Sequence, residues 1–456
     1  MCGINFVLTK RQDDTRAERM LGRIQHRGIR GNTFVMNDGQ VQLSHQRLPI
    51  QGLSQGFDQP YFYKDYVIGF VGEIFNFRDF NPDAESDIQV LAEEFDRSGI
   101  ECFKKFDGFW SVIIIDRSRG CYHVVTDSLA KKPLYIKEDS DYRWISSEIF
   151  PLLDEGDEFD PLYFSSVAKW GYSLSNLTPF KRIWKIPNFC HLIGSLTDLR
   201  NSSMIQYDAI TPKSGSIRHL LEEAVENRLV SDVPVSILLS GGMDSSIIFE
   251  LMKKHTHNFT VFHVDNEEAE YLNYLDIPSD IKVKKIKLME TSYPEALAAN
   301  QTPVDLGSVH PQLSLAKAIK KEGFVVAISG DGADELFGGY TRAVTYDSQY
   351  SDIFEELIWY HLPRLDRIMM NQTIELRCPF LSRPVVEAAL TLPWSERQWK
   401  NGLKKIFKYL VPKEILYRDK RALKINDIRK DPIKARLNAI RLFKGFCRIH
   451  YDIKGD

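Results

Sequence analysis

The run Val233-Pro234-Val235-Ser236-Ile237-Leu238-Leu239-Ser240-Gly241-Gly242-Met243-Asp244-Ser245-Ser246 decides the fold of the second half of this chain. Val233–Leu239 is nearly continuously apolar, which is the signature of a strand buried on both faces. The small polar residues Ser240–Ser246 then make a loop, and Ile247–Lys254 reads as an apolar helix. Working outward, Ile217–Val230 is a helix charged on one side, and Phe259–Val264 and Val325–Ser329 are two more apolar strands. Strands alternating with helices predict a parallel α/β sheet. A Ser/Gly loop between a strand and a helix can wrap a phosphate with its backbone N–H groups at the positive helix end. It lacks G-x-x-x-x-G-K-[ST], so a Walker-type NTPase is excluded. An ordinary turn is the bland alternative, and the acid inside the loop speaks against it.

The first half has a different style. Short apolar runs at Gly3–Leu8, Val67–Phe70, Trp110–Ile115 and Tyr122–Thr126 are separated by Gly, Asp and Asn turns. Ser86–Arg97 carries apolar residues at helical spacing behind an N-cap serine. Stacked sheets with a few covering helices follow. Tyr207–Ser216, with Pro212 and Gly215, is the predicted linker, giving units of 1–206 and 207–456. The 456 residues allow two or three domains. With 43% apolar and 27% charged residues, disordered, collagenous and coiled-coil classes are excluded. The net charge of -3 gives no basic excess for nucleic acid. No apolar stretch approaches the roughly 20 residues that span a bilayer, and no signal-peptide pattern opens the chain, so a cytoplasmic protein is expected. Six scattered cysteines, without a C-x-x-C pair, suggest neither a zinc site nor a disulfide framework. The basic tail after Arg429 reads as a solvated surface helix.

Two groups of residues point to chemistry. Cys2 becomes the first residue if the initiator methionine is removed, and its α-amine can then serve as general base for its own thiol. In Ser329-Gly330-Asp331-Gly332-Ala333-Asp334-Glu335, three carboxylates crowd the end of a strand, which suggests Mg2+.

Met1-Cys2-Gly3-Ile4 resembles the opening of class II glutamine amidotransferases. His26-Arg27-Gly28, Gln46-Arg47-Leu48-Pro49-Ile50, Gly72-Glu73-Ile74-Phe75-Asn76, Ser86-Asp87 and Phe106-Asp107-Gly108-Phe109 follow in that family's order. The resemblance implies an N-terminal-nucleophile αββα sandwich with Cys2 as nucleophile. It also implies Gly72 N–H as an oxyanion donor, and Arg47, Gly72, Glu73 and Asp87 around glutamine. A guanidinium suits an α-carboxylate clamp, and carboxylates suit an ammonium. The family's N-G-E-I-Y-N pattern has Val71 in place of its Asn, which puts the glutaminase rate in doubt because an oxyanion donor is worth ~10²–10³ in turnover.

The second half resembles ATP pyrophosphatases through S-G-G-x-D-S, and asparagine synthetases through Ser329–Tyr340, Leu365–Met370, Glu375–Leu381 and Pro412–Lys420. The resemblance implies ATP bound by Leu239, Ser240, Gly241, Gly242, Asp244, Ser245, Val261, Ser329 and Gly330. It places Mg2+ on Asp244 and Asp334, a proton-handling Asp331 where the family has Glu, and Lys420 on the α-phosphate. Ser382 stands where the family has Asp. The implied reaction hydrolyses glutamine at Cys2 and passes ammonia inward. ATP adenylates a carboxylate, with aspartate the favoured one, and the amine displaces AMP. The substrates are glutamine, ATP and that carboxylate, and the resemblance allows a homodimer. A ligase fed by free ammonia or an amine, a different carboxylate, and a non-catalytic relative remain the alternatives.

Overall fold

The computed structural model of the protein describes residues 2–12, 14–173, 175–340, 355–418 and 432–454. The first half contains twelve strands: β1 (Gly3–Thr9), β2 (Arg30–Met36), β3 (Val41–Arg47), β4 (Tyr61–Tyr63), β5 (Tyr66–Ile74), β6 (Gly108–Asp116), β7 (Cys121–Thr126), β8 (Tyr135–Glu138), β9 (Tyr142–Ser146), β10 (Ile183–Lys185), β11 (Cys190–Ser195) and β12 (Ser202–Gln206). They form two antiparallel six-stranded sheets, ordered β10-β8-β9-β1-β3-β2 and β12-β11-β7-β6-β5-β4. Alternate residues decide which layer each side chain joins. Ile4, Phe6, Val67, Val71, Ile113, Tyr122 and Val124 fill the space between the sheets, with Cys2 among them. Ile68, Phe70, Val112, Ile114 and Val125 point the other way, under the helix Asp87–Ser98. The opposite outer face is covered by the helices Arg16–Arg23 and Pro161–Trp170. The result is the expected αββα sandwich.

The second half holds five strands: β13 (Val235–Leu238), β14 (Thr260–Val264), β15 (Lys282–Ile286), β16 (Val326–Ile328) and β17 (Glu375–Arg377), ordered β15-β14-β13-β16-β17 with every pair parallel. β13 sits at the centre, so the loop that follows it opens at the middle of the sheet's carboxyl edge, where α/β folds place their ligands. Residues 207–216 form no helix or strand, as predicted. No helix among the described residues is long and apolar enough to cross a membrane. One expectation fails: the tail helix Pro432–Tyr451 is not merely solvated. It buries Ile440, Phe443 and Cys447 against Phe150, Phe164 and Phe180 of the first half, a stripe hidden in the sequence among basic residues.

The halves meet through buried charges. Arg27 donates to Glu148 (2.9 Å) and to Asp366 (2.8 Å), and Lys132 donates to the other Asp366 oxygen (3.0 Å). Arg228 pairs with Asp107 at 3.2 Å. Arg27 and Asp366 are shielded from water, so each charge needs the others.

Candidate functional site

Two centres lie in the two halves. Cys2 lies buried at the head of β1, its sulfur 4.0 Å from the carbonyl of Leu48 and its own carbonyl accepting from Arg27 Nε (3.0 Å). Burial pushes the Cys2 thiol up, so it stays protonated until a base takes its proton. Gly72 sits nearby on β5 with φ +149, and a Cβ there would collide with the carbonyl oxygen of Phe109. That close approach, rather than flexibility, requires glycine. Val71 precedes it, buried in the same apolar cluster as Cys2, Phe75 and Phe109.

The four residues assigned to glutamine come together, but not as free groups. Arg47, the last residue of β3, has both Nη atoms engaged. They donate to the carbonyls of Ser54 (2.9 Å), Gln51 (3.2 Å) and Gly52 (2.5 Å) and to Asp58 (2.8 Å). Asp87 opens its helix and accepts from the Ile74 N–H at 3.0 Å. Burial holds its carboxyl up at about 6, against the backbone hydrogen bond that pulls it down. Glu73 is raised more strongly, by burial first and then by the neighbouring carboxylates Glu375 and Asp87. It accepts from Gln51 Nε2. Arg377, at the end of β17, lies 3.8 Å from Glu73 and 2.6 Å from Glu375. Glutamine's predicted ammonium site therefore leans on the parallel sheet of the other half, a link the sequence did not disclose.

At the second centre, Leu239 directly follows the buried strand β13 and donates its N–H to the carbonyl of Phe262 (2.9 Å), while Val261 is buried one strand over. Gly241 turns with φ +73. The loop satisfies itself: Ser245 Oγ accepts from the Ser240 N–H (3.2 Å) and donates to the Gly242 carbonyl (3.1 Å), and Ser240 Oγ accepts from the Gly242 N–H (3.2 Å). The helix Met243–His255 starts there, so its first-turn N–H groups crown the loop. Gly330 is pressed against Asp244, since a Cβ on it would lie 2.8 Å from the Asp244 Cβ. Ser329 Oγ donates to Asp331 (2.6 Å), whose carboxyl is raised chiefly by burial.

Asp244 and Asp334 lie close together, and what joins them is Lys400. Its buried Nζ lies 2.5 Å from an oxygen of each. Trp399 and Lys400 both adopt left-handed backbone (φ 57 and 58), a strained pair that aims the lysine inward. Two carboxylates close enough to share one cation fit Mg2+, which takes oxygen ligands. The sequence reading passed over Lys400 because it sits in an unremarkable W-K-N stretch; the unusual backbone that directs it is not visible in composition. Arg418 stands in the Pro412–Lys420 motif, where the sequence assigned it no role. Its guanidinium pairs with Glu268 (2.9 Å) and would lie 3.3 Å from a Cβ on Gly242 of the loop. Lys420 lies outside the described residues.

A cavity of about 30 Å³ lies between the centres, lined by Phe109, Lys131, Lys132, Asp366, Met369, Leu376 and Cys378 among others. Phe109 borders the Cys2 cluster, and Cys378 lies 3.6 Å from Ser329, the partner of Asp331.

Comparison with known proteins decides the kinship. The family model described as "Glutamine amidotransferase domain" matches residues 1–203, and that described as "Asparagine synthase" matches 216–358 and 347–441. The chain belongs to the asparagine synthetase family. The asparagine synthetase [glutamine-hydrolyzing] of Asparagus officinalis is 28% identical to it, over 92% of this chain and 76% of that protein. The synthetase 1 of Arabidopsis thaliana is 28% identical (92% and 77%), and that of Sandersonia aurantiaca 27% identical (92% and 86%). Among solved structures, glutamine phosphoribosylpyrophosphate amidotransferase from B. subtilis aligns with 72% of this chain and 75% of its own at 14% identity, with a TM-score of only 0.35. Within the asparagine synthetase family, this chain's peculiarities are then concrete. Val71 is an apolar wall where an amide is expected, Asp331 is a shortened acid held by Ser329, and Ser382 is buried at the start of the helix Arg383–Ala389.

Proposed function

We propose that this protein makes asparagine from aspartate, with ATP driving the reaction and glutamine supplying nitrogen. In this reading residues 1–206 are the glutaminase and 207–456 the synthetase. Cys2, freed at its amine, attacks the glutamine amide. The Gly72 N–H receives the developing oxyanion, Arg47 turns from its loop carbonyls to the α-carboxylate, and Asp87 with Glu73 holds the ammonium. The loop Ser240–Ser245, with Leu239, Val261, Ser329 and Gly330 around it, holds ATP. Asp244 and Asp334 would hold Mg2+, which when bound neutralises phosphate charge. Lys420 would offset the charge built up on the α-phosphate, and Asp331 would take a proton from the incoming amine.

The observation that carries this reading is the cavity. It is lined by Phe109, which belongs to the same apolar cluster as Cys2, and by Cys378, 3.6 Å from the Ser329 that holds Asp331. It has room for molecules of the size of ammonia or water. A shielded path matters because ammonia released into water at pH 7 would be protonated and lose its lone pair. A homodimer would leave this chemistry within each chain, since both centres and the cavity come from one chain. Six free thiols, Cys2 included, suit a reducing, cytoplasmic setting.

The test is pyrophosphate release from ATP, Mg2+ and glutamine, with and without aspartate. Aspartate-dependent release with asparagine formed is the expected result; indifference to aspartate would sink the reading. Val71 lends weight to a second mode, amidation fed by free ammonia. A Cys2→Ala variant that works equally well with ammonium tests it.

A further inference from the structure

Away from both centres, on the outer face of the first half, the β6–β7 hairpin gathers a set of side chains that the synthesis does not use. The register Asp116↔Cys121 sets these two directly opposite. The two-residue period of a strand puts His123 on the same face as Cys121. His191 of β11 pairs with Val125 and so lies diagonally beside His123 on that face. Tyr122 and Val124 point the other way, into the layer that holds Cys2. The two clusters are therefore separated by the thickness of the sheet.

The geometry points to a tetrahedral zinc site formed by Asp116, Cys121 and His123, with His191 as the supporting partner of His123. We propose it as a structural metal clip of the hairpin, with water in the fourth position. The candidate ligand atoms of Asp116, Cys121 and His123 all lie within 4.8 Å of one another, the only such trio of His, Cys, Asp or Glu among the described residues. Cys121 Sγ is 3.6 Å from His123 Nε2. For a zinc ion bound at about 2.3 Å by sulfur and 2.0–2.1 Å by nitrogen, the tetrahedral S···N edge is about 3.6 Å, so these two ligands already stand at the required separation.

The surroundings suit the role. His123 Nδ1 lies 2.9 Å from His191 Nε2. With the proton on His123 Nδ1 donated to His191, the Nε2 lone pair faces Cys121, which is how a second shell fixes a ligand's tautomer. The buried Nδ1 of His191 then carries that ring's own proton and has no hydrogen-bond partner, an uncompensated cost that a mere filler histidine would not need. The His123 ring is clamped, stacked on His191 (5.2 Å, 10°) and met edge-on by Phe95 (5.3 Å, 72°). One Asp116 oxygen accepts from Ser118 Oγ (2.7 Å) and the Arg119 N–H (3.0 Å). The other meets only Arg119 Nε at 3.7 Å, an exposed side chain able to swing away. Cys121 is half-buried, which leaves an entry path for the ion and room for water. Binding would release the thiol proton to solvent and leave zinc thiolate.

The test uses the full chain, stripped with chelator and titrated with Co2+ as a spectroscopic stand-in for Zn2+, then with Zn2+ itself. One equivalent of Co2+ should give the intense visible bands of tetrahedral cobalt and a thiolate charge-transfer band, both displaced by Zn2+. Cys2→Ala should keep the signal, which separates this site from chelation by an N-terminal cysteine. Cys121→Ser should lose the charge-transfer band, and His191→Phe should weaken binding by about 10–100-fold. Because a variant can fail to fold, alkylation of the native chain gives a second reading: Zn2+ should protect Cys121 from iodoacetamide. A signal that survives Cys121→Ser, or Cys121 alkylated at the same rate with and without Zn2+, overturns the proposal.

Discussion

Val71 offers the sharpest test of the glutaminase, because restoring an amide there should create activity rather than remove it. The perturbation is Val71→Asn. Val71 is 1% exposed and packs beside Cys2, Phe75 and Phe109, and its strand position is pinned by pairing with Ser111 of β6. A side chain at 71 is therefore rigidly placed one residue before Gly72. An oxyanion donor is worth ~10²–10³ in turnover, or about 2.7–4 kcal/mol of transition-state stabilisation. Neighbours shaped around an isopropyl group will not hold the new amide at ideal geometry, so a gain of roughly 10–100-fold in kcat, below the full value of such a donor, is expected. The same amide, half-satisfied without substrate, should cost about 1–3 kcal/mol of stability. In a domain of this size that lowers Tm by roughly 2–4 °C per kcal/mol. The assay is glutamate formation at saturating glutamine without ATP, with the melting curve recorded alongside. Cys2→Ala in the same background should abolish the gain. An unchanged or lower kcat in a variant that still melts cooperatively would refute the reasoning, and Gly72 would then not stand beside the oxyanion.

Four further outcomes follow from the geometry. Lys400→Met leaves Asp244 and Asp334 facing each other without their shared cation, a loss of about 3–5 kcal/mol; millimolar Mg2+ should raise the Tm of this variant more than that of the wild type, and equal shifts would contradict the cation-site reading. Asp366→Asn strips the buried partner from Arg27 and Lys132 and should cost about 3–5 kcal/mol, seen as a large drop in denaturation midpoint. Since Asp366 is held below its ordinary value by Arg27 and Lys132, its contribution is present above the unfolded pKa and fades as pH falls through the lowered one. Asp87, held at about 6 by burial, carries its charge only above that pH; kcat/KM for glutamine should fall as pH drops through about 6, and Asp87→Asn should remove that break while lowering the plateau. For stability the sign is opposite, because ionising Asp87 costs free energy as pH rises from its unfolded value toward 6. Gly72→Ala drives a Cβ into the Phe109 carbonyl and should leave little folded protein, read from soluble yield against Gly22→Ala, where a Cβ meets nothing.

The sequence disclosed the architecture because its signals are local. The nearly unbroken apolar run Val233–Leu239 and the Ser/Gly loop after it are features a single segment carries, and the strand and helix appeared within two to four residues of the reading. β3 (VQLSHQR) was missed because its polar residues are buried between neighbouring strands rather than marked by apolar periodicity, and β2 (RGNTFVM) because, as an edge strand with no fully buried residue, it carries no apolar face to read. The site residues divide in the same way. Cys2, Gly72, Asp244 and Asp334 stand in dense motifs. Arg27, Asp366 and Arg377 act across the boundary between halves, 339 residues apart for Arg27 and Asp366, and Lys400 meets Asp244 156 residues away within the second half, separations no spacing rule reaches. The Asp116–Cys121–His123 group was passed over because it matches no C-x-x-C spacing; only the hairpin register assembles it.

The central claim is that nitrogen released at Cys2 travels inside the protein to the ATP centre. Supplying glutamine labelled with ¹⁵N at the amide, together with ATP, Mg2+, aspartate and excess unlabelled ammonium, tests it most directly. The account predicts asparagine whose amide nitrogen is predominantly ¹⁵N, because the cavity between Phe109 and Cys378 keeps the transferred ammonia out of the bulk pool. Asparagine labelled only in proportion to the mixed pool would contradict it.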